Sequence, residues 1–257
     1  EKHHLSHEYT CLSWKRGKKD LGMLAIGCND GQVILWDLTR GVVIKTLGDK
    51  NSTVPSDLVF SYDGKSIFVS SSFSPNVIEY NVSSGELIKE WKGHKKGVLR
   101  LASNSKALVL AVGGSNIKLL DTSSDAKKKK LEAHFSGGVT AISFSDCGCY
   151  LVCTGSSSRE VLVFDVRATA SSDPLYILPV RDTVMRLSIR QNDSFIDIIC
   201  SYNGSGGCLL RAASDAPLQE LQIEGEILNA ICIKDKTLVA IGPSSQPSLC
   251  TLTDADF

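Results

Sequence analysis

One pattern recurs along this chain at intervals of roughly 40–47 residues, and a tandem period of that length confines the fold to an array of like units. Its clearest copy is Leu24-Ala25-Ile26-Gly27, then Asn29-Asp30-Gly31-Gln32, then Val33-Ile34-Leu35-Trp36-Asp37. This reads as a strand, a tight Asp-Gly turn, and a second strand closing on Trp-Asp. Alternating apolar residues mark further strands on either side, and Gly, Asn, Asp and Ser mark the turns between them. Six copies can be laid out, over residues 9–50, 51–95, 96–137, 138–182, 183–226 and 227–257. Each supplies four strands, except that the sixth lacks a clear outer strand. In the third copy the strands are expected at Val98–Ala102, Ala107–Val112, Ile117–Asp121 and Lys129–Ala133. No segment has the periodicity of an amphipathic helix. The expected fold is all-β, one small antiparallel sheet per copy.

The copies align best at the end of the third strand: Trp36-Asp37, Tyr80-Asn81, Leu120-Asp121 and Phe164-Asp165. A large apolar residue is placed to wedge between neighbouring sheets, and the polar residue after it to cap the turn to the outer strand. Asp30, Trp36, Asp37, Tyr80, Asp121, Phe164 and Asp165 are therefore read as structural repeat residues. These features resemble WD40 repeats, which build β-propellers. The resemblance is to degenerate copies: only the first keeps Trp-Asp, and Ile26 stands where a hydroxyl is usual. His94 and His134 sit where such repeats often carry a histidine. Propellers of this type most often have seven blades, so the expectation is a seven-bladed ring with about six blades represented and an N-terminal blade not represented.

Composition narrows the function. Lys plus Arg and Asp plus Glu both number 28, so the formal net charge is zero and no global field announces a nucleic-acid binder. No apolar run is long enough to cross a membrane, and the polar start, Glu1-Lys2-His3-His4, does not resemble a secretory signal. Nine cysteines, mostly inside apolar runs, suit a reducing intracellular compartment better than a disulfide framework.

Few residues suggest chemistry. Cys147-Gly148-Cys149 with Cys153 has the donors of a partial zinc site, but no second cluster pairs with it. Inward-packed cysteines on a hairpin are the plainer reading, with Cys149 and Cys153 on one face. Gly204-Ser205-Gly206-Gly207 precedes a strand, not a helix, and reads as a hairpin loop. Asp193 and Asp197 could do acid–base work in a pocket, yet a solvated turn and a strand edge account for them. No nucleophile elbow, zinc-protease motif or P-loop occurs. Arg100, Arg159, Arg186 and Arg211 could line a central channel, but do not fall at one repeated position by sequence count. No enzyme, cofactor or metal is expected.

Basic loops are the stronger signal. Lys15, Arg16, Lys18 and Lys19 follow the first strand, Lys92, Lys95 and Lys96 lie between the second and third copies, and Lys127–Lys130 enters an outer strand. Such runs can follow a phosphate backbone. No aromatic residue is interleaved with them in sequence, so any RNA contact is expected to be with the backbone.

The segments Val77–Gly93, His4–Trp14 with its basic insert, Ile117–Leu120, Gly138–Phe144 and Leu238–Leu252 resemble, in order, the WD40-repeat family of U-three small nucleolar RNA-associated protein five, also called the WD repeat-containing protein forty-three family. The resemblance implies a non-enzymatic scaffold of the early small-subunit processome in the nucleolus. Its partners there would be other processome subunits and the 5′ external spacer of pre-ribosomal RNA, in a hetero-oligomer. That family also carries a C-terminal helical domain, to which nothing here corresponds. A WD40 adaptor in a ubiquitin ligase or on chromatin is the alternative.

Overall fold

The computed structural model describes residues 8–15, 22–49, 52–124, 127–168, 171–191, 195–203, 206–213, 219–223, 227–233, 236–241 and 248–252. All regular structure among them is β. The first blade is β1 (Tyr9–Trp14), β2 (Met23–Cys28), β3 (Val33–Asp37) and β4 (Val42–Leu47). The second is β5 (Asp57–Phe60), β6 (Ser66–Ser70), β7 (Asn76–Asn81) and β8 (Leu87–Lys92). The third is β9 (Arg100–Ser103), β10 (Val109–Gly113), β11 (Asn116–Asp121) and β12 (Lys127–His134). The fourth is β13 (Val139–Phe144), β14 (Tyr150–Gly155), β15 (Glu160–Asp165) and β16 (Tyr176–Pro179). The fifth is β17 (Val184–Gln191), β18 (Phe195–Tyr202), β19 (Gly207–Ala213) and β20 (Gln219–Ile223). The last is β21 (Ile227–Ile233), β22 (Lys236–Ile241) and β23 (Ser248–Leu252).

Each sheet is an antiparallel meander in sequence order. Middle strands such as β14 and β18 are buried along nearly their whole length, because both faces of the sheet are covered. Outer strands β4 and β8 are largely exposed. In the first, fourth, fifth and last sheets the innermost strand carries a register shift in one place, after Tyr9, Val139, Val184 and Ile227. This bulge shifts the side chains that follow it by one position relative to a simple count.

Two compact units result: residues 1–114 with 118–128, and residues 115–117 with 129–257. In the first, one core packs Ala25, Val33, Leu35 and Leu47 against Leu58, Phe60, Ile67 and Val69. A second packs Phe68, Val77 and Trp91 against Val98, Leu101, Leu110 and Leu120. In the second unit Val152, Val161 and Val163 meet Val184, Ile198 and Leu210. A hydroxyl link repeats between neighbouring blades, at or just before their innermost strands. Ser56 Oγ donates to the Val98 carbonyl at 2.8 Å, and Thr140 Oγ1 to the Val184 carbonyl at 2.7 Å.

Third-strand ends behave as expected. The side chains of Asp37, Asn81, Asp121 and Asp165 each accept the N–H two residues on, from Thr39, Ser83, Ser123 and Arg167, at 2.9–3.0 Å. Tyr80 packs into the core between the first and second blades, and Leu120 into that between the second and third. Trp36 instead packs on Leu24, Ile26, Cys28 and Ile34 of its own sheet. Phe164 is fully buried. Asp30 holds its turn by accepting the Gln32 N–H at 3.1 Å.

Three expectations need correction. The third blade starts later than expected, at Arg100, because the Val98 N–H bonds to carbonyls of the preceding blade's loop. Its outer strand starts earlier, at Lys127. Cys149 does not share a strand face with Cys153, since it precedes β14 and is half-buried while Cys153 is buried.

Candidate interaction surface

In the first unit two loops interlock at one end of the second blade. The β6–β7 loop runs from Ser71 to Pro75, and the β8–β9 loop from Gly93 to Leu99. Pro75 O accepts the N–H groups of Gly93 (3.1 Å) and His94 (2.9 Å). The Val98 N–H is shared between the carbonyls of Ser71 (3.0 Å) and Ser74 (3.1 Å). Gly97 lies directly on the Ser72 carbonyl: a Cβ there would come within 1.6 Å of its oxygen, so only glycine permits the approach. Below, Lys118 Nζ donates to the Gly93 carbonyl at 2.6 Å, and the His94 Nε2 lies 3.0 Å from the Val112 carbonyl. Burial of its ring pushes the His94 pKa down, which favours the neutral form. The two loops are thus tied to each other by backbone hydrogen bonds.

Exposed on this platform are Lys92, Lys95 and Lys96, together with Phe73, at 81% the most exposed large apolar side chain among the described residues. This juxtaposition is not legible in the sequence, because Phe73 lies some twenty positions before the lysines and only the interlocking brings their loops together. An aromatic residue does therefore accompany a basic loop, contrary to expectation.

Strand alternation divides the other basic residues from this platform. Lys15 follows β1 and so lies at the opposite end of the blades, the end that also carries the caps after each third strand. Its side chain runs over the β5–β6 turn at Gly64. Arg16, Lys18 and Lys19 lie outside the described residues. Lys129 is not a free contact: its Nζ bonds to the carbonyls of Ala168 and Ser171.

The arginines and acids also fall differently from the count. Arg100 pairs with Gly113 and Arg186 with Ser201, which is one register position, the one that Asp57 occupies opposite Ser70. The same Val-x-Arg-Leu stretch stands at both places, Val98–Leu101 and Val184–Leu187. Asp197, expected at a strand edge, is fully buried on central strand β18, its carboxylate bridged by Arg211 Nε at 2.7 Å and Nη2 at 2.9 Å. The Arg211 guanidinium also stacks 3.8 Å from the Phe195 ring centre. Asp193 lies outside the described residues. In the second unit an open groove of about 420 Å³ is lined by Glu132, His134, Ser156, Ser158 and Glu160 among others, with no lysine or arginine. Among the described residues no cluster of three His, Cys, Asp or Glu side chains could hold a metal, and no helix is long and apolar enough to cross a membrane.

Residues 126–165 match the family described as WD domain, G-beta repeat. The chain carries a WD40 repeat. Its all-β array has the fold of a WD40 β-propeller. A chain in the crystal structure of the mitotic checkpoint complex matches it with a TM-score of 0.78 over 97% of this chain and 76% of that one, at 17% identity. Curated WD40 relatives align in part. Human (Homo sapiens) WD repeat and SOCS box-containing protein 1 is 30% identical over 113 residues, 42% of this chain and 27% of that protein. Human WD repeat-containing protein 43 is 25% identical over 162 residues, 54% of this chain and 23% of that protein. COMPASS component SWD3 of Saccharomyces cerevisiae is 24% identical over 206 residues, 73% of this chain and 63% of that protein. The chain thus spans less than two thirds of the length of each of these relatives.

Proposed function

We propose that this WD40 array is a non-enzymatic docking scaffold of the early small-subunit processome, acting in the nucleolus in pre-rRNA processing and 40S ribosome biogenesis. The observation that carries the reading is the platform of Phe73, Lys92, Lys95 and Lys96 on two interlocked loops. Ammonium groups track a phosphate backbone, and an aromatic face beside them accepts an unstacked base. The tie between the loops favours binding, since less loop entropy is lost on contact. The resemblance to the U-three small nucleolar RNA-associated protein five family and the partial alignment with WD repeat-containing protein 43 supply the assembly. Pre-rRNA 5′ spacer and other processome subunits are the proposed partners.

The deciding experiment is affinity purification of the tagged protein from growing cells, with the bound RNA sequenced and the proteins identified. Enrichment of 5′ external spacer RNA with early processome proteins is expected. Ubiquitin ligase or chromatin subunits in their place would overturn the assignment.

Those outcomes belong to a second reading, an adaptor for a protein segment. Two observations favour it: the acid-lined groove of Glu132 and Glu160, suited to a basic peptide, and the higher identity to WD repeat and SOCS box-containing protein 1.

A further inference from the structure

The β5–β6 and β13–β14 turns are built alike. In the second blade, Ser61-Tyr62-Asp63-Gly64 closes with the Gly64 N–H on the Ser61 carbonyl (3.0 Å) and the Ser61 N–H on the Ser66 carbonyl (2.9 Å). Inside it, the Asp63 carboxylate accepts the Ser61 hydroxyl at 2.7 Å and the Lys65 N–H at 3.1 Å. In the fourth blade, Ser145-Asp146-Cys147-Gly148 closes with the same two backbone bonds, Gly148 N–H to Ser145 O and Ser145 N–H to Tyr150 O, both 2.9 Å. Here the Cys147 sulfur stands where the Asp63 carboxylate stands. The Ser145 hydroxyl lies 3.1 Å from it, and the Cys149 N–H donates to it at 3.2 Å. In the second blade this donor set holds a carboxylate.

From this geometry we infer that Cys147 and Cys149 form an oxidisable dithiol, in which Cys147 reacts as the thiolate with hydroperoxides and Cys149 resolves the product to an intramolecular disulfide. The Cys149 thiol folds back over Cys147 and donates to its carbonyl at 3.7 Å. Gly148, at φ +74°, folds the chain between them. Both residues are half-buried, whereas Cys28, Cys153, Cys200 and Cys208 are buried. Burial alone would push the Cys147 thiol up, but the hydroxyl, the N–H groups and the neighbouring thiol together hold it below its ordinary value. A depressed, accessible thiol beside a second cysteine is the arrangement on which peroxide sensing depends.

The steps balance. The Cys147 thiolate attacks the peroxide O–O bond, an S–O bond forms, and water or an alcohol leaves with a proton. Sulfur is oxidised by two electrons and the peroxide is reduced. The Cys149 sulfur then attacks Cys147, an S–S bond forms, the S–O bond breaks and water leaves. The Cys147 thiol also donates to Gln191 Oε1 at the end of β17. Ionisation to the reacting thiolate removes that proton and so breaks this hydrogen bond between the fourth and fifth blades before the S–O bond forms.

The test is a timed hydrogen peroxide pulse on the purified protein, quenched by denaturing alkylation, with mass spectrometry of the tryptic peptide Leu131–Arg159. A Cys147–Cys149 disulfide is expected, forming about tenfold faster than Cys153, Cys200 or Cys208 is modified. In C149S, dimedone should trap a sulfenic acid on Cys147. C147D should keep the fold, since Asp63 occupies the sister turn, and should leave Cys149 reduced. Cys147 oxidation no faster than that of Cys153, a linkage through Cys153 instead, or sulfinic acid on Cys147 without the disulfide would each overturn the inference.

Discussion

Asp57 and Leu101, 44 residues apart, are joined by a 2.8 Å hydrogen bond from the Leu101 N–H to Asp57 Oδ2. The same carboxylate takes the Leu58 N–H at 2.9 Å. One side chain thus ties the innermost strand of the second blade to that of the third. Burial raises its pKa to about 6, against the pull of both N–H groups and of Arg100. In an unfolded chain the value is about 3.9. Between these values the folded state holds more protons, so this group's contribution to stability is fully present below about pH 4 and is lost as the pH rises through about 6.

Asp57→Asn should remove that dependence. From pH 4 to pH 7 the stability of the variant relative to the wild type should rise by about 1–2 kcal/mol, a figure reduced because the residue is only half-buried. Urea unfolding at both pH values measures it. A constant difference would mean that the carboxyl does not titrate in this window.

Arg211→Met should destabilise the second unit by about 3–5 kcal/mol, because the fully buried Asp197 carboxyl would lose both bonds of its bridge. Asp197→Asn combined with it should recover part of the loss. A double-mutant cycle in chemical denaturation gives the coupling, and strict additivity would contradict the bidentate geometry.

Gly97→Ala places a methyl group against the Ser72 backbone, which has no side-chain freedom with which to yield. We expect about 2 kcal/mol or more of destabilisation. Amide exchange of Val98, whose N–H is held by the facing loop, should accelerate. Unchanged slow exchange there would show that the loops stay closed around the added methyl group and would contradict the expectation.

Charge reversal at Lys92, Lys95 and Lys96 should leave unfolding within about 0.5 kcal/mol of wild type, as these side chains are exposed. RNA binding should weaken, and the salt dependence of log K should become shallower by about 2–3 units. Phe73→Ala should weaken binding with no change in that slope, by about 1–3 kcal/mol if a base stacks there. A shallower slope for Phe73→Ala would place its effect on the backbone contacts instead.

The repeat, the strand order and the caps at Asp37, Asn81, Asp121 and Asp165 were legible because each depends on residues close in sequence. A side-chain acceptor two positions before an N–H needs no tertiary knowledge. What escaped depends on distant pairing. The burial of Asp197 is decided by Arg211 on the next strand, and the Arg100–Arg186 equivalence by the residues they pair with, Gly113 and Ser201. The Cys147 turn was seen as a hairpin, but its likeness to the Asp63 turn lies in hydrogen bonds to a sulfur, which a motif search for metal ligands does not weigh. Phe73 was invisible for the same reason, since only Gly97 lets its loop meet the lysines.

The placement of Lys15 at one end of the blades and of Lys92, Lys95 and Lys96 at the other has a geometric consequence. Strands of about six residues set the two apart by roughly 20 Å. The blade therefore acts as a spacer. A stiff duplex lying flat on one end reaches only one group of charges, whereas a flexible single strand can pass around the rim and engage both, gaining avidity from the tether between them.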